Sequence, residues 1–290
     1  MNSSNFGPLV TTEWLAAHLD DPDLRILEST VHLHPLPGGD MRAESGEPEY
    51  VAGHVPGAAF ADLIDDLSDP ESSLRFQLPS ARRFAEAMER LGIGEGTRVV
   101  IYTRSTPGWA TRVWWMLRAF GFDDAAILDG GWQKWTAEGR PVSTAPASYP
   151  PARFVARPRE GLFVGKDDVR DALGDGRTAI LNALTEEQHA GTGGPHYERR
   201  GRIPGSICVS ARSLVDPTTG EYLPAEQLRR RFADAGMLGR DRVIVYCGGG
   251  IAASADAFAL TLLGQERVAV YDASLQEWAK DPALPMESDA

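Results

Sequence analysis

Residues 243–258 read VIVYCGGGIAASADAF. An aliphatic run ends in a cysteine, three glycines follow, and a helical pattern begins. Cys247 therefore stands at the carboxyl end of a strand, where open parallel sheets bind their ligands. Gly248, Gly249 and Gly250 admit positive φ angles and bring bare backbone close to a ligand. Successive amides curled in this way, those of Ile251 and Ala252 included, form a nest for anions. The following helix adds the positive end of its dipole. A cysteine at this focus is held as a nucleophilic thiolate. The same amides suit a negatively charged sulfur attached to it. The competing view is a buried cysteine at a tight turn, with the glycines kept for packing.

Other chemistries fail on spacing. A cysteine-dependent phosphatase needs an arginine six residues after its nucleophile to clamp phosphate, and that position is Ala253. A nucleotide-binding P-loop needs a lysine after its glycines, whereas Gly250 is followed by Ile251. Two cysteines and six histidines show no metal-ligand spacing. Cys208, in IPGSICVSA, has no such loop and reads as a packed residue.

The elements that position Cys247 occur twice. VVIYTRSTPGWATRVWWMLRAFG at 99–121 parallels VIVYCGGGIAASADAFALTLLG at 243–264. HVPGAAFADL at 54 parallels RIPGSICVSA at 202, and LDGGWQKW at 128 parallels YDASLQEW at 271. Their near-constant offset means duplication of a whole domain, and Thr103 stands where Cys247 stands in the second copy. Within each half, helical patterns alternate with short apolar runs such as RVVIY and RVIVY. That pattern predicts a mostly parallel α/β sheet flanked by helices. Ser80, and Thr11 or Thr12, read as helix N-caps. The expected domains are 8–144 and 161–290, joined by the proline-rich linker 145–160.

Composition narrows the partners. A net charge of −12 argues against a broad nucleic-acid or anionic-membrane surface. No apolar run is long enough to span a membrane and no signal peptide is visible. With only two cysteines, a reduced cytoplasmic setting is expected.

The motifs AGHVPGA, LDGGWQKW, GRIPGS, YCGGGIAA and YDASLQEW together resemble the tandem-domain rhodanese family, the thiosulfate and 3-mercaptopyruvate sulfurtransferases. The resemblance covers nearly the whole chain. It implies two rhodanese-like domains, the first catalytically silent. It also implies a persulfide on Cys247, loaded by a small donor and discharged to a thiol or cyanide, with no cofactor or metal. A protein acceptor fits as well. The uncharged Cys-Gly-Gly-Gly-Ile-Ala loop is closer to the mercaptopyruvate pattern than to the thiosulfate pattern, which places Arg and Lys after the cysteine. The mercaptopyruvate pattern has a serine at the place of Gly249, so a hydroxyl relay through that position is missing. First-domain partners of the mercaptopyruvate type match His54 and, more loosely, Asp40. The family's Asp-x-Arg, whose arginine binds the donor's anionic group, is replaced by Asn182 and Leu184. Arg199, Arg200 and Arg202 are the candidates to take over. The departures also leave room for a binding module without turnover, or for a persulfide carrier loaded by a partner protein.

Overall fold

The computed structural model describes residues 6–36 and 41–290. The first half forms a sheet from β1 (Leu9–Val10), β2 (Leu24–Glu28), β5 (Ala58–Phe60), β6 (Arg98–Tyr102) and β7 (Ala125–Leu128). Its order is β1-β7-β6-β2-β5, and every pairing is parallel. Between β2 and β5, strands β3 (Val31–Pro35) and β4 (Met41–Ser45) pair antiparallel as a separate ribbon. The second half repeats the sheet with β8 (Phe163–Val164), β9 (Thr178–Asn182), β10 (Ile207–Cys208), β11 (Arg242–Tyr246) and β12 (Val268–Tyr271). Read from β8, the order is β8-β12-β11-β9-β10, again all parallel. The continuous apolar runs RVVIY and RVIVY become the central strands, buried at four of five positions each. Helices on both faces exclude water there, which is why these strands do not alternate.

The duplication extends to individual hydrogen bonds. The Tyr102 hydroxyl receives the Val55 amide at 3.1 Å, and the Tyr246 hydroxyl receives the Ile203 amide at 3.1 Å. The Trp135 indole donates to the Pro141 carbonyl, and the Trp278 indole to that of Pro285. Both tryptophans are fully buried, as core packing requires. Local signals also hold. The Thr11 side chain caps helix Thr12–Ala17, and Ser80 caps Ala81–Arg90, whose Phe84 and Met88 are buried.

Residues 145–159 have no regular structure but are tied to the first domain. Phe154 is buried against Phe84 and Phe122. The Arg157 and Arg159 amides donate to the carbonyls of Phe120 and Ala119. The two domains meet along helices Gly108–Ala119 and Ile251–Leu262, which follow the equivalent loops. Trp114 meets Phe258 edge-on at 4.9 Å between centroids. A Cβ on Gly108 would lie 3.1 Å from the Ile251 carbonyl, so the helix starts approach closely. That packing brings first-domain residues up to the Cys247 loop. No helix among the described residues is long and apolar enough to cross a membrane.

Candidate active site

Cys247 follows β11 directly and lies at the base of a cavity of about 270 Å³ between the domains, 2% exposed. Phe76, Thr106 and Trp109 line the cavity from the first domain. Leu184, Tyr197, Ile251 and Gln276 line it from the second. The walls are mainly apolar. Among the described lining residues the only charged groups are Arg75 and Arg212.

The loop after Cys247 is held from behind. Its carbonyls accept from the start of the last helix: Leu275 N–H donates to Cys247 O at 3.1 Å and Gln276 N–H to Gly248 O at 2.9 Å. The Cys247 amide donates to Ser274 Oγ at 3.0 Å, and Ser274 Oγ–H donates on to the Tyr271 carbonyl. The amides of Gly248, Gly249, Gly250, Ile251 and Ala252, in contrast, donate to no acceptor among the described residues. Buried amides are ordinarily paired, so this row is a stock of unspent donors beside a sulfur atom.

The first-domain loop after Thr103 spends most of its own, the Thr106 amide alone having no acceptor among the described residues. Arg104 N–H goes to Thr30 Oγ1, Ser105 N–H to Thr103 Oγ1 and Gly108 N–H to Thr106 Oγ1, while Pro107 has none to give. Arg104 is structural. It pairs with buried Glu28 and lies over Trp132, 4.0 Å from the ring centroid.

The glycines serve different ends from those the sequence suggests. Only Gly250 has positive φ, at 77°. There a Cβ would also lie 2.7 Å from the Asp272 carbonyl oxygen and 2.9 Å from Arg112 Nη1. At Gly249 a Cβ would lie 2.9 Å from Gln276 Nε2. These positions are bare because other groups fill the space. Arg112 is a fully buried first-domain cation. Its Nη2 donates to the Phe76 carbonyl at 2.5 Å and to Asp272 at 2.6 Å, and Asp272 accepts the Leu78 amide at 2.8 Å. The pair joins the domains directly behind the loop.

Several expected site residues are elsewhere. His54 is buried and stacked on Tyr50, with its ring nitrogens 2.8 and 2.9 Å from the carbonyl oxygens of Tyr50 and Ala145. It fixes a turn and does not line the Cys247 cavity. Asp40 lies outside the described residues. Arg199 donates to the carbonyls of Trp278, Ala279, Asp281 and Leu284, closing the end of the last helix. Arg202 pairs with Glu287 and Asp289. Arg200 is exposed, and none of the three arginines lines the cavity. The guanidinium groups of Arg199 and Arg202 stand at the chain's C-terminal segment because carbonyls and carboxylates collect there. The cations that do line the cavity, Arg75 and Arg212, come from a first-domain loop and from the turn after β10, neither marked by a motif. Cys208 is half-buried, and its thiol donates to the Leu184 carbonyl.

Comparison with known proteins agrees with this geometry. A family model described as Rhodanese-like domain matches residues 11–138 and 166–281. A probable 3-mercaptopyruvate sulfurtransferase of Pseudomonas aeruginosa is 33% identical, over 96% of this chain and 97% of its own. The sulfur carrier protein TtuD of Thermus thermophilus is 32% identical over 96% and 95%. Among solved structures, SseA from Escherichia coli, a 3-mercaptopyruvate sulfotransferase with the rhodanese fold, superposes with a TM-score of 0.80 at 31% identity, covering 92% of this chain and 98% of that one. With a duplicated parallel sheet, a cysteine loop in one copy only and these matches along both halves, the chain belongs to the rhodanese family.

Proposed function

We propose that the protein is a sulfurtransferase that carries sulfane sulfur as a persulfide on Cys247. A small donor loads the sulfur and a thiol or cyanide removes it. The observation that carries this reading is the row of unspent amides from Gly248 to Ala252, beside a cysteine at the base of a cavity. Such donors stabilise a thiolate and its persulfide without a charged side chain on the loop. A carboxylate donor of the 3-mercaptopyruvate kind is preferred over thiosulfate. The loop carries no cation of its own, and the walls suit a carbon skeleton better than a doubly charged inorganic ion. Relatives that share about a third of the sequence are named for 3-mercaptopyruvate. Arg75 and Arg212 take the donor carboxylate in place of the missing arginine at Leu184. The domain limits 8–144 and 161–290 and a cytoplasmic site of action belong to the same reading.

The test is intact-mass measurement after incubation with each donor. A gain of about 32 Da, one sulfur, is expected with 3-mercaptopyruvate. Cys247→Ser abolishes it. A folded protein that no donor loads defeats the proposal.

The relative named as a sulfur carrier supports a second reading, in which a partner protein loads Cys247. Slow loading by every small donor beside fast loading by a persulfidated protein would select it.

A further inference from the structure

The side-chain space at the residue after the cysteine is not empty. A Cβ built on Gly248 would fall inside the hydroxyl of Tyr197. A residue 51 positions upstream thus delivers a phenol oxygen to the place where residue 248 would carry its own side chain. Tyr197 lines the same cavity as Cys247. Its segment is fastened two residues later, where Arg199 donates to four carbonyls around the end of the last helix. The neighbouring space at Gly249 is filled by the Gln276 carboxamide, whose Oε1 accepts the Arg75 amide and whose Nε2 donates to the Arg75 carbonyl. Gln276 therefore holds the first-domain wall in place. Residues 247–253 supply no hydroxyl, and Ser274 Oγ, behind Cys247, already gives its proton to the Tyr271 carbonyl, so Tyr197 is the hydroxyl set against the loop on the cavity side.

We propose that Tyr197 is a catalytic residue, the proton donor to the leaving group when a mercapto keto acid loads Cys247. This rests on the sulfurtransferase reading above. The Cys247 thiolate attacks the donor sulfur, and the new S–S bond uses the thiolate's electron pair. The C3–S bond breaks, and its pair passes onto C3 and the C2 carbonyl oxygen as an enolate. The donor's thiol proton stays on the outer sulfur. Tyr197 Oη–H gives its proton to the enolate oxygen and recovers one from the persulfide S–H. The products are the enol of pyruvate and Cys–S–S⁻, with atoms and charge conserved. A carbon leaving group needs this proton, because an unassisted enolate is a poor leaving group. A sulfinate leaving group does not need it. An aryl thiosulfonate loads the same cysteine by losing a weakly basic sulfinate ion. Tyr197 accordingly separates donors by what they leave behind.

The experiment measures sulfur loading from 3-mercaptopyruvate and from benzenethiosulfonate in wild type, Tyr197→Phe and Gly248→Ala. Tyr197→Phe is expected to lower kcat with 3-mercaptopyruvate at least about thirtyfold, leaving KM within about twofold. Its rate with benzenethiosulfonate should change less than about threefold. Gly248→Ala, which expels the hydroxyl without deleting it, should also lower kcat with 3-mercaptopyruvate, and Tyr197→Phe added to it should lower that rate no further. Wild-type kcat for 3-mercaptopyruvate in Tyr197→Phe overturns the proposal, as does an equal fall with both donors. If wild-type protein accepts sulfur from neither donor, the sulfurtransferase reading falls first and takes this one with it.

Discussion

Ser274 and Gly131 hold the same left-handed backbone, φ 52° and 51°, at equivalent places in the two domains. The residue after each donates its amide to the loop residue opposite, Leu275 to Cys247 and Trp132 to Thr103, both at 3.1 Å. Glycine takes this conformation freely. Serine takes it at a cost of order 1 kcal/mol. In exchange its hydroxyl receives the Cys247 amide and fixes the cysteine's main chain.

Ser274→Gly therefore separates stability from activity. The backbone strain is relieved, and the two buried hydrogen bonds of the Ser274 hydroxyl are lost, each of these three effects being worth about 1 kcal/mol. The urea midpoint should fall only by the net of about 1 kcal/mol. The rate of persulfide formation should fall severalfold, because the Cys247 backbone is left to rearrange. A large loss of stability with unchanged loading would contradict this assignment.

The two thiols should differ sharply in reactivity. Burial pushes the Cys208 thiol up to about 12, with further contributions from Asp256, Glu186 and Glu187. At pH 8 its thiolate fraction is negligible. Iodoacetamide in slight excess should label Cys247 alone, as peptide mapping will show, and Cys208→Ser should leave sulfur loading intact.

Leu184 lines the cavity where the family's donor-binding arginine is expected. Leu184→Arg places a third cation there. The KM for 3-mercaptopyruvate should fall about tenfold, the scale of one added charge-assisted hydrogen bond. Steady-state kinetics on the variant decide it, and an unchanged KM would mean that Arg75 and Arg212 already saturate the carboxylate.

Asp129 offers a pH signature. Burial raises its carboxyl to about 6, with Glu221 adding to the effect and the Tyr222 and Gly130 amides and Lys134 opposing it. Between about pH 4 and pH 6 the unfolded chain has released this proton while the folded chain keeps it. Stability is lost as pH rises through that window, by an amount of order 2–3 kcal/mol. Asp129→Asn keeps an acceptor for the Tyr222 amide but does not titrate. The variant's advantage over wild type should grow from pH 4 to pH 6.5 and then level off, measured as denaturant midpoints.

Arg112 and Asp272 form a buried pair across the domains. Removing one partner strands the other's charge. Arg112→Met should cost about 3–5 kcal/mol in chemical denaturation. It should also slow sulfur loading, since both the Phe76 wall and the Asp272 turn lose their tie.

Much of this architecture is written in local sequence. The duplicated landmarks set two copies of one sheet, and the apolar runs ending in Tyr102 and Tyr246 mark the central strands. The cysteine loop was legible because its chemistry depends on main chain, which three glycines advertise. Residues that reach the cavity from a distance were not. Arg75 and Trp109 arrive there through packing between the domains and Tyr197 through the fold of the second, and no local spacing encodes either. His54 and Arg199 misled for the opposite reason. Their residue types suit catalysis and anion binding, but nearby carbonyls claim their nitrogens.

The hydroxyls of Thr30, Thr103 and Thr106 have a bearing on how the duplicated halves diverged. A single codon change to cysteine at 103 would put a thiol beside a loop whose Arg104 and Gly108 amides are held by the Thr30 and Thr106 hydroxyls. It would also remove the Thr103 hydroxyl while Thr30 and Thr106 stayed in place, and Pro107 would still offer no N–H. Reawakening that half calls for replacements at several positions, not at 103 alone, so the two copies do not interconvert by one substitution.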